Sequence, residues 1–538
     1  MLLWHVIVFL VDSNLVSASI NGHTKHRREV IFARNGAVAS DDRWCSRIGK
    51  DVLVELKEGM QWMQQWLLLY VWGLLVQLLV ALVVEPLCFS GYVWRQCYIE
   101  SKRWPISSSP WRTCWPSQGV EATWEASMEK TRKATKILTR RGFKISPYLH
   151  TQMKASESDI LADAGLRSIF APNGKLLNIG GICYNKKLAY TLRAISKHGP
   201  QAFYSGLIGR GLVRDVKKAG GILTMKDLKS YTVKQKEPLS TDVLGLKILG
   251  MPPPSGGPPM VLLLNILAQY ELPSGLLGSI GIHREIEALK HVFAVRMNLG
   301  DPDFVNITAV LSDLLSPKFA KKLKKDINDN KTYDLNHYGG KWNQILDHGT
   351  SHVSIIDLER NAISMTATIN AYFGSKINSR STGIVLNNEM DDFSMPRNVS
   401  KDVPPPAPAN FVAPGKPQGS GRWEAESRSR CKWRNYMIIA GTSEVLLNHF
   451  VKGLDPLSSV LAPRVYHQLI PNVVNYENWT TVTGDHFELP ADIREALKRK
   501  GHVLQGLAGG TICQFIVQDI GKLVAVSDPR KGGLPAGF

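Results

Sequence analysis

Residues 66–84 read WLLLYVWGLLVQLLVALVV and contain no charged side chain and one glutamine. A helix of 19 such residues is long enough to span the hydrocarbon core of a bilayer, so the direct interpretation is a single transmembrane helix. A buried helix and a segment that is not native protein are the alternatives. Eight of the 14 tryptophans lie between Trp62 and Trp124, and residues 104–118 follow neither a helical nor a strand period, which favours the last alternative.

The amino-terminal 30 residues are predicted to be a signal peptide or propeptide. Residues 2–11 are apolar, and Val16-Ser17-Ala18 offers small residues for cleavage, although Asp12 follows the apolar run and no basic residue precedes it. Glycosylation sequons begin at four asparagines: Asn306, Asn330, Asn398 and Asn478. These features predict entry into the secretory pathway.

The net charge of +19, from 65 basic and 46 acidic residues, suggests at first a polyanionic partner. The excess is concentrated, because residues 95–144 carry a net +7 and residues 416–434 a net +4. The net charge of the remaining residues is ordinary for a globular protein, and we expect no nucleic-acid partner. Seven scattered cysteines without a CxxC pair give no disulfide scaffold and no structural zinc site.

From about residue 130 the pattern is that of an ordinary α/β protein. Ser240–Met251 alternates as one strand, and 352–356 and 362–370 alternate as two strands around a turn at 359–361. His348 and His352 lie close together without a third ligand, so we predict no metal site there.

The segment Asp347-His-Gly-Thr-Ser-His352 places a hydroxyl group at the start of a strand. If the chain is cut before Thr350, the new α-amine, with a pKa near ~8, can serve as general base for its own hydroxyl. Polar side chains at following strand ends could then bind a zwitterion: Thr368, Asn370, Glu389 and Asp392. The simpler interpretation is that Gly-Thr is a turn residue followed by a β-former.

Long stretches of the chain make it recognisable. Among them are ILADAGLR, FAVRMNLGDPDF, DHGTSH, TGIVLNNEMDDF and AVSDPRKGG, and similar matches extend over residues 33–55, 140–416 and 436–538. On these motifs the chain resembles the plant-type γ-glutamyltransferases, also called γ-glutamyl transpeptidases or glutathione hydrolases. We therefore expect an enzyme of glutathione catabolism.

The resemblance implies an α/β fold of the N-terminal-nucleophile hydrolase type, a layered αββα sandwich with a disrupted amino-terminal part. A precursor cleaves itself between Gly349 and Thr350 into a large-subunit region, 31–349, and a small-subunit region, 350–538. Thr350 matches the family nucleophile and Thr368 its supporting residue, whereas the residues matching substrate-binding positions are Asn370, Glu389, Asp392 and a single serine, Ser420.

The implied substrates are glutathione, its S-conjugates and other γ-glutamyl peptides, with water, amino acids or dipeptides as acceptors. The resemblance implies neither a metal nor an organic cofactor. It implies an extracellular, apoplastic or membrane-associated protein, with the vacuole as the alternative.

Three family elements are missing. The Arg-Glu-Thr-Ala-Pro stretch that binds the substrate α-carboxylate is absent, and Gly415-Lys416 is not followed by Pro-Leu-Ser-Ser-Met. Arg434-Asn435 stand where the family has the Gly-Gly pair of its oxyanion hole. We therefore treat residues 60–130 and 417–435 as departures from the family.

A frame shift is our hypothesis for the first departure. After Glu58-Gly59 the family reads Asn-Ala-Val-Asp-Ala-Ala-Val, and the codons AAT GCA GTG GAT GCA GCA GTG read one base late give Met60-Gln-Trp-Met-Gln-Gln-Trp66. Three functions remain open from the sequence: an active enzyme, a catalytically impaired relative or defective gene model, and a single-span membrane protein anchored by residues 66–84.

Overall fold

The computed structural model describes residues 27–57, 141–231, 236–342, 350–394, 396, 404–411 and 437–538. The predictions for the signal segment, the apolar run 66–84, the whole 60–130 departure, Gly349, Ser420 and the 417–435 departure lie outside these residues.

The described chain alternates between helices and short strands. The α-helices are α1 (Arg43–Lys57), α2 (Pro147–Ala155), α3 (Glu157–Ala162), α4 (Ala164–Phe170), α5 (Lys186–His198), α6 (Gln201–Tyr204), α7 (Leu207–Lys218), α8 (Met225–Ser230), α9 (Gly257–Leu267), α10 (Gly278–Arg296), α11 (Thr308–Leu315), α12 (Pro317–Lys325), α13 (Met437–Phe450), α14 (Pro456–Leu461) and α15 (Ala491–Arg499). The strands are β1 (Val30–Ala33), β2 (Ala37–Ser40), β3 (Phe143–Lys144), β4 (Ile182–Cys183), β5 (Leu239–Val243), β6 (Leu246–Gly250), β7 (Ser351–Ile356), β8 (Ala362–Ala367), β9 (Val465–Tyr466), β10 (Val474–Thr480), β11 (His486–Glu488), β12 (Leu504–Leu507), β13 (Phe515–Asp519), β14 (Lys522–Val526) and β15 (Ala536–Gly537).

Two antiparallel sheets form the centre of the fold. One has the order β15-β2-β7-β8 and the other the order β1-β14-β13. β2 and β7 pair with Ser40 opposite Val353, and β7 and β8 pair with Ser351 opposite Ala367. The first sheet therefore joins the two ends of the chain to the strand that follows Thr350.

The two sheets pack face to face through small apolar side chains. Alternate residues of the strands meet between the sheets, among them Ala37, Ala39, Ile356, Ile516 and Ala525. Because successive strand residues point to opposite faces, their neighbours point outward to the helices. This packing on both faces explains why β2 and β7 are buried at every position and β14 at every position except Lys522.

Helices cover the outer face of each sheet. Val353 and Met365 pack with side chains of α2, α4, α5 and α7. Val517 and Val524 pack on the other side with side chains of α9, α10 and α13. The predicted layered αββα sandwich is thus confirmed, and within the described residues no helix is long and apolar enough to cross a membrane.

The prediction of one strand over Ser240–Met251 is wrong in one respect. The segment is a hairpin, in which β5 and β6 pair with Val243 opposite Leu246. Leu244 and Gly245 both have positive φ angles and form the two-residue turn. Gly245 was the sequence signal for a turn. The apolar–polar alternation continues through the turn, so the sequence pattern alone did not reveal it.

Candidate functional site

Thr350 lies directly before β7 and is the first described residue after position 342. Because β7 and β8 are antiparallel with Ser351 opposite Ala367, one further step of the register places Thr350 opposite Thr368. Thr350 is partly exposed, whereas Ser351 is buried. The two threonines named from the sequence are therefore neighbours at one edge of the sheet.

The loop after β8 is held by Thr368. Its hydroxyl oxygen accepts a hydrogen bond from the backbone N–H of Asn370 at 2.8 Å. Asn370 has a φ of 71°, a left-handed conformation that asparagine adopts more readily than most residues. This turn directs the buried Asn370 side chain toward the segment 387–392.

Asn370 and Asp392 are in direct contact. The amide nitrogen of Asn370 donates to Asp392 Oδ1 at 2.7 Å and to the carbonyl of Asn388 at 3.1 Å. The Asn388 side-chain oxygen in turn accepts from the backbone N–H of Ala371 at 2.9 Å. These bonds join the two loops into one polar unit.

Glu389 and Asp392 begin and end a short 3₁₀ helix, and both are buried. The side-chain oxygen of Asn387 accepts from the backbone N–H of Glu389 at 3.1 Å and so starts the helix. The side-chain oxygen of Asn370 is buried and has no hydrogen-bond donor among the described residues. Two carboxylates beside an available amide oxygen are suited to binding an ammonium group.

Sequence reasoning missed three linked residues beside Thr350: Lys531, Asp41 and Gln514. Lys531 donates from Nζ to the carbonyl oxygen of Thr350 at 2.7 Å and to Asp41 Oδ2 at 2.9 Å. The motif AVSDPRKGG contains Lys531, and it was used only as a family signature. Asp41 carries no signal of its own, because it lies 490 residues away from Lys531.

The contacts of His352 indicate a structural role for its imidazole ring. Its Nδ1 lies 2.7 Å from the hydroxyl of Thr366, and its Nε2 lies 3.2 Å from the hydroxyls of Ser354 and Ser364. The imidazole is thus surrounded by hydroxyl groups of β7 and β8. Its sequence neighbour His348 lies outside the described residues.

Thiolate chemistry has no support in the described part of the chain. Cys45, Cys183 and Cys513 are all buried. Burial raises the pKa of Cys513 to about 11, and burial together with the charges of Asp42 and Asp41 raises the pKa of Cys45 well above its usual value. These thiols stay protonated, and the hydroxyl of Thr350 is the better nucleophile candidate.

One described cluster has the composition of a metal site: His283, Glu287 and His502, whose ligand atoms lie within 4.8 Å of one another. His283 Nδ1 and His502 Nε2 lie 2.8 Å apart, and Lys290 Nζ lies 3.1 Å from Glu287 Oε1. Glu287 also accepts from Tyr338 at 2.5 Å. The lysine already balances the carboxylate charge, so this cluster is a buried polar network and does not fit a divalent ion.

The described residues bring together Thr350, Thr368, Asn370, Glu389 and Asp392, as the sequence grouped them. Their roles remain predictions. The other predicted site residues, Gly349 and Ser420, lie outside the described part, as do Arg434 and Asn435 ahead of α13.

The chain is similar to known proteins over most of its length. The family model described as gamma-glutamyltranspeptidase matches residues 120–420 and 435–538. The chain is 58% identical over 444 residues to glutathione hydrolase 2 of Arabidopsis thaliana, covering 79% of this chain and 76% of the relative. It is 45% identical to glutathione hydrolase 3 of the same plant, covering 74% and 68%. A cephalosporin acylase structure from Bacillus halodurans shares the fold, with a TM-score of 0.68 at 22% identity, covering 97% of this chain and 99% of the acylase.

Proposed function

This chain belongs to the γ-glutamyltranspeptidase family, and from that premise we propose that it hydrolyses glutathione and related γ-glutamyl compounds and transfers their γ-glutamyl group. The observation that carries the proposal is the β7–β8 register, which sets Thr350 opposite Thr368. The polar unit of Asn370 and Asp392 follows directly on the same edge.

In the proposed maturation step, Thr350 Oγ attacks the carbonyl carbon of Gly349. The peptide C–N bond breaks, the nitrogen of Thr350 becomes a free α-amine, and water hydrolyses the resulting ester to leave Gly349 as a carboxyl terminus. The products are a large subunit and a small subunit, 350–538, from one precursor.

In the proposed turnover, the free α-amine takes the proton of the Thr350 hydroxyl as its oxygen attacks the γ-glutamyl carbonyl. The amide C–N bond of glutathione breaks, and cysteinylglycine leaves with that proton on its amine. Water or the amine of an acceptor amino acid or dipeptide then attacks the ester carbonyl and restores Thr350. No metal and no organic cofactor takes part.

The donor's α-ammonium group is proposed to bind between Glu389 and Asp392. Both carboxylates are buried, so an ammonium group there is poorly screened by water and is attracted strongly. The free side-chain oxygen of Asn370 would accept one of its N–H groups.

A second candidate is a family member with impaired catalysis. It is favoured by Arg434-Asn435 at the position of the family's Gly-Gly pair and by the missing carboxylate-binding stretch. Loss of one oxyanion donor costs roughly 2.7–4 kcal/mol of transition-state stabilisation. The two candidates share one fold, but the first predicts turnover of γ-glutamyl substrates and the second predicts little or none.

The test uses the purified full chain on a denaturing gel, followed by amino-terminal sequencing and release of a chromogenic γ-glutamyl amide. We expect a band for residues 350–538 that begins with Thr350, and turnover of the amide. Thr350→Ala should abolish both, while Thr350→Ser keeps the hydroxyl and should retain part of both. Cleavage without turnover would favour the impaired relative, and turnover that survives in Thr350→Ala would refute the assigned nucleophile.

We also propose that the protein enters the secretory pathway and reaches the cell exterior or its membrane, with the vacuole as the alternative. Support comes from the amino-terminal apolar stretch and from the exposed sequon residue Asn306. Its side-chain oxygen accepts from the backbone N–H of Thr308 at 3.0 Å. Digestion of the expressed protein with an endoglycosidase should increase its gel mobility, and fractionation of expressing plant cells identifies the compartment.

A further inference from the structure

A buried ion pair lies against the backbone of the nucleophile. The side chains of Lys531 and Asp41 are 4% and 5% exposed. The Lys531 ammonium donates to Asp41 at 2.9 Å and to the carbonyl oxygen of Thr350 at 2.7 Å. A buried ammonium group is costly to desolvate, so these two acceptors help to fix its position.

Asp41 is also linked through Gln514 to β7, the strand that follows Thr350. Its other carboxylate oxygen accepts from the Gln514 side-chain amide at 2.6 Å. The backbone carbonyl of Gln514 accepts from the hydroxyl of Ser354, on β7, at 3.2 Å. Gln514 therefore connects Asp41 to β7, and Asp41 in turn binds the Lys531 ammonium group.

The backbone of Lys531 is fixed by its neighbours. The guanidinium group of Arg530 bonds to Glu477 at 2.6 and 2.7 Å and to Asp528 at 3.2 Å, all fully buried. A Cβ atom on Gly533 would lie 2.4 Å from the carbonyl oxygen of Ser40, so this loop lies directly against the end of β2. With the backbone fixed at both sides, the direction of the Lys531 side chain is the remaining freedom, and the ion pair with Asp41 restricts it.

We propose that Asp41 is a positioning residue for the nucleophile, acting through the Lys531 ammonium group on the carbonyl of Thr350. The inference rests on the proposed function of Thr350. In the cleaved protein Asp41 belongs to the large subunit, whereas Thr350, Gln514 and Lys531 belong to the small subunit. The large subunit thereby fixes the orientation of a nucleophile that it does not carry.

The pair also determines the charge near the α-amine that cleavage creates. A positive neighbour lowers the pKa of an amine and a negative neighbour raises it. Other titratable groups on the packed elements are Asp42, directly before α1, Cys45 of α1, the ring of Tyr148 at 5.9 Å from Lys531, and His352 of β7. Cys45 stays a neutral thiol, and burial raises the pKa of Asp42.

The test compares Asp41→Asn, Lys531→Met and the double variant in the full chain. We expect each single change to slow precursor cleavage and to lower kcat at least tenfold with little change in KM, because neither side chain is placed on the substrate. The double variant should lose little more than either single variant, since both act through one contact. The matched control is Asp357→Asn. Asp357 is also 5% exposed, directly follows β7, and accepts a hydrogen bond from the backbone N–H of Asn361.

The pH profile separates positioning from a general loss of structure. Asp41→Asn leaves the positive Lys531 beside the α-amine, so the acid limb of kcat should move to lower pH. Lys531→Met leaves the negative Asp41, so the limb should move to higher pH. Shifts in the same direction, or a loss in Asp357→Asn as large as in Asp41→Asn, would overturn the proposal.

Hydrogen exchange keeps the test decisive if the wild-type chain neither cleaves nor turns over. In that case the proposed function fails, while exchange of the amides at 350–354 still reports the positioning contact. We expect Asp41→Asn to speed their exchange relative to the amides of β8 and relative to Asp357→Asn. Unchanged exchange would contradict the role of Asp41 whether or not the enzyme is active.

Discussion

Replacing Glu444 by Gln is expected to remove a loss of stability that the wild-type protein suffers as the pH rises. Glu444 lies on α13, is 8% exposed and accepts from the backbone N–H of Val465 at 3.0 Å. Burial, and next the negative charge of Glu285, raise the pKa of Glu444 from 4.5 to about 8. Glu285 is paired with Lys452 at 2.7 Å, so it presents a fixed carboxylate to its neighbour.

The sign follows from the two pKa values. The folded state keeps the Glu444 proton up to about pH 8, whereas the unfolded chain releases it near pH 4.5. The contribution of Glu444 to the free energy of unfolding is therefore fully present below pH 4.5. It is lost as the pH rises to about 8, at roughly 1.4 kcal/mol for each pH unit. Between pH 5 and pH 8 the loss amounts to about 4 kcal/mol.

Urea unfolding of wild type and Glu444→Gln at pH 5 and pH 8 measures this loss. The glutamine keeps an oxygen for the Val465 N–H but does not ionise. We expect the variant to gain about 4 kcal/mol on wild type between the two pH values. Glu495→Gln, an exposed position on α15, is the control and should show no such gain. A stability difference between wild type and Glu444→Gln that is the same at both pH values would refute the assigned pKa and its cause.

Two further changes test the buried polar contacts. Arg530→Met should lower the free energy of unfolding by about 3–5 kcal/mol in urea titrations, because it leaves the buried Glu477 and Asp528 without their shared partner. Asp215→Asn should cost about 1–2 kcal/mol at neutral pH, since Asp215 on α7 accepts from the backbone N–H of Ser381 at 2.7 Å and from its hydroxyl at 2.9 Å. Partial burial alone would raise the pKa of Asp215, but these bonds hold it below its usual value, so the difference from wild type should disappear as the pH falls below 4.

Strands could be predicted from the sequence where the pattern that indicates them lies within a few neighbouring residues. Two alternating runs separated by a turn predicted β7 and β8, and their register then brought Thr350 and Thr368 together. The hairpin of β5 and β6 was missed because its turn consists of two residues inside a continuous alternation. Local patterns therefore identified strands well and their ends less well.

The contacts of Asp41 could not be predicted from such patterns. An aspartate after a short strand resembles a helix cap, and Asp42 does accept from the backbone N–H of Trp44 at 2.7 Å. Nothing in the neighbouring residues indicates that Asp41 itself is buried against Lys531 and Gln514. Such long-range charge pairs depend on how the sheet is assembled, which hydrophobic periodicity does not encode.

The sheet order explains how a chain cut at residue 349 could remain one active unit. β2, from the large-subunit region, lies between β15 and β7, both from the small-subunit region, and pairs with each. β1, also from the large-subunit region, pairs with β14 in the second sheet. Cleavage before Thr350 would therefore break no pairing among the described strands, and the apolar contacts between the sheets would still hold both pieces. The proposed nucleophile Thr350 and its proposed positioning residue Asp41 lie on opposite sides of this boundary. The proposal therefore requires the two pieces to stay in register, and the interleaved strands provide that register.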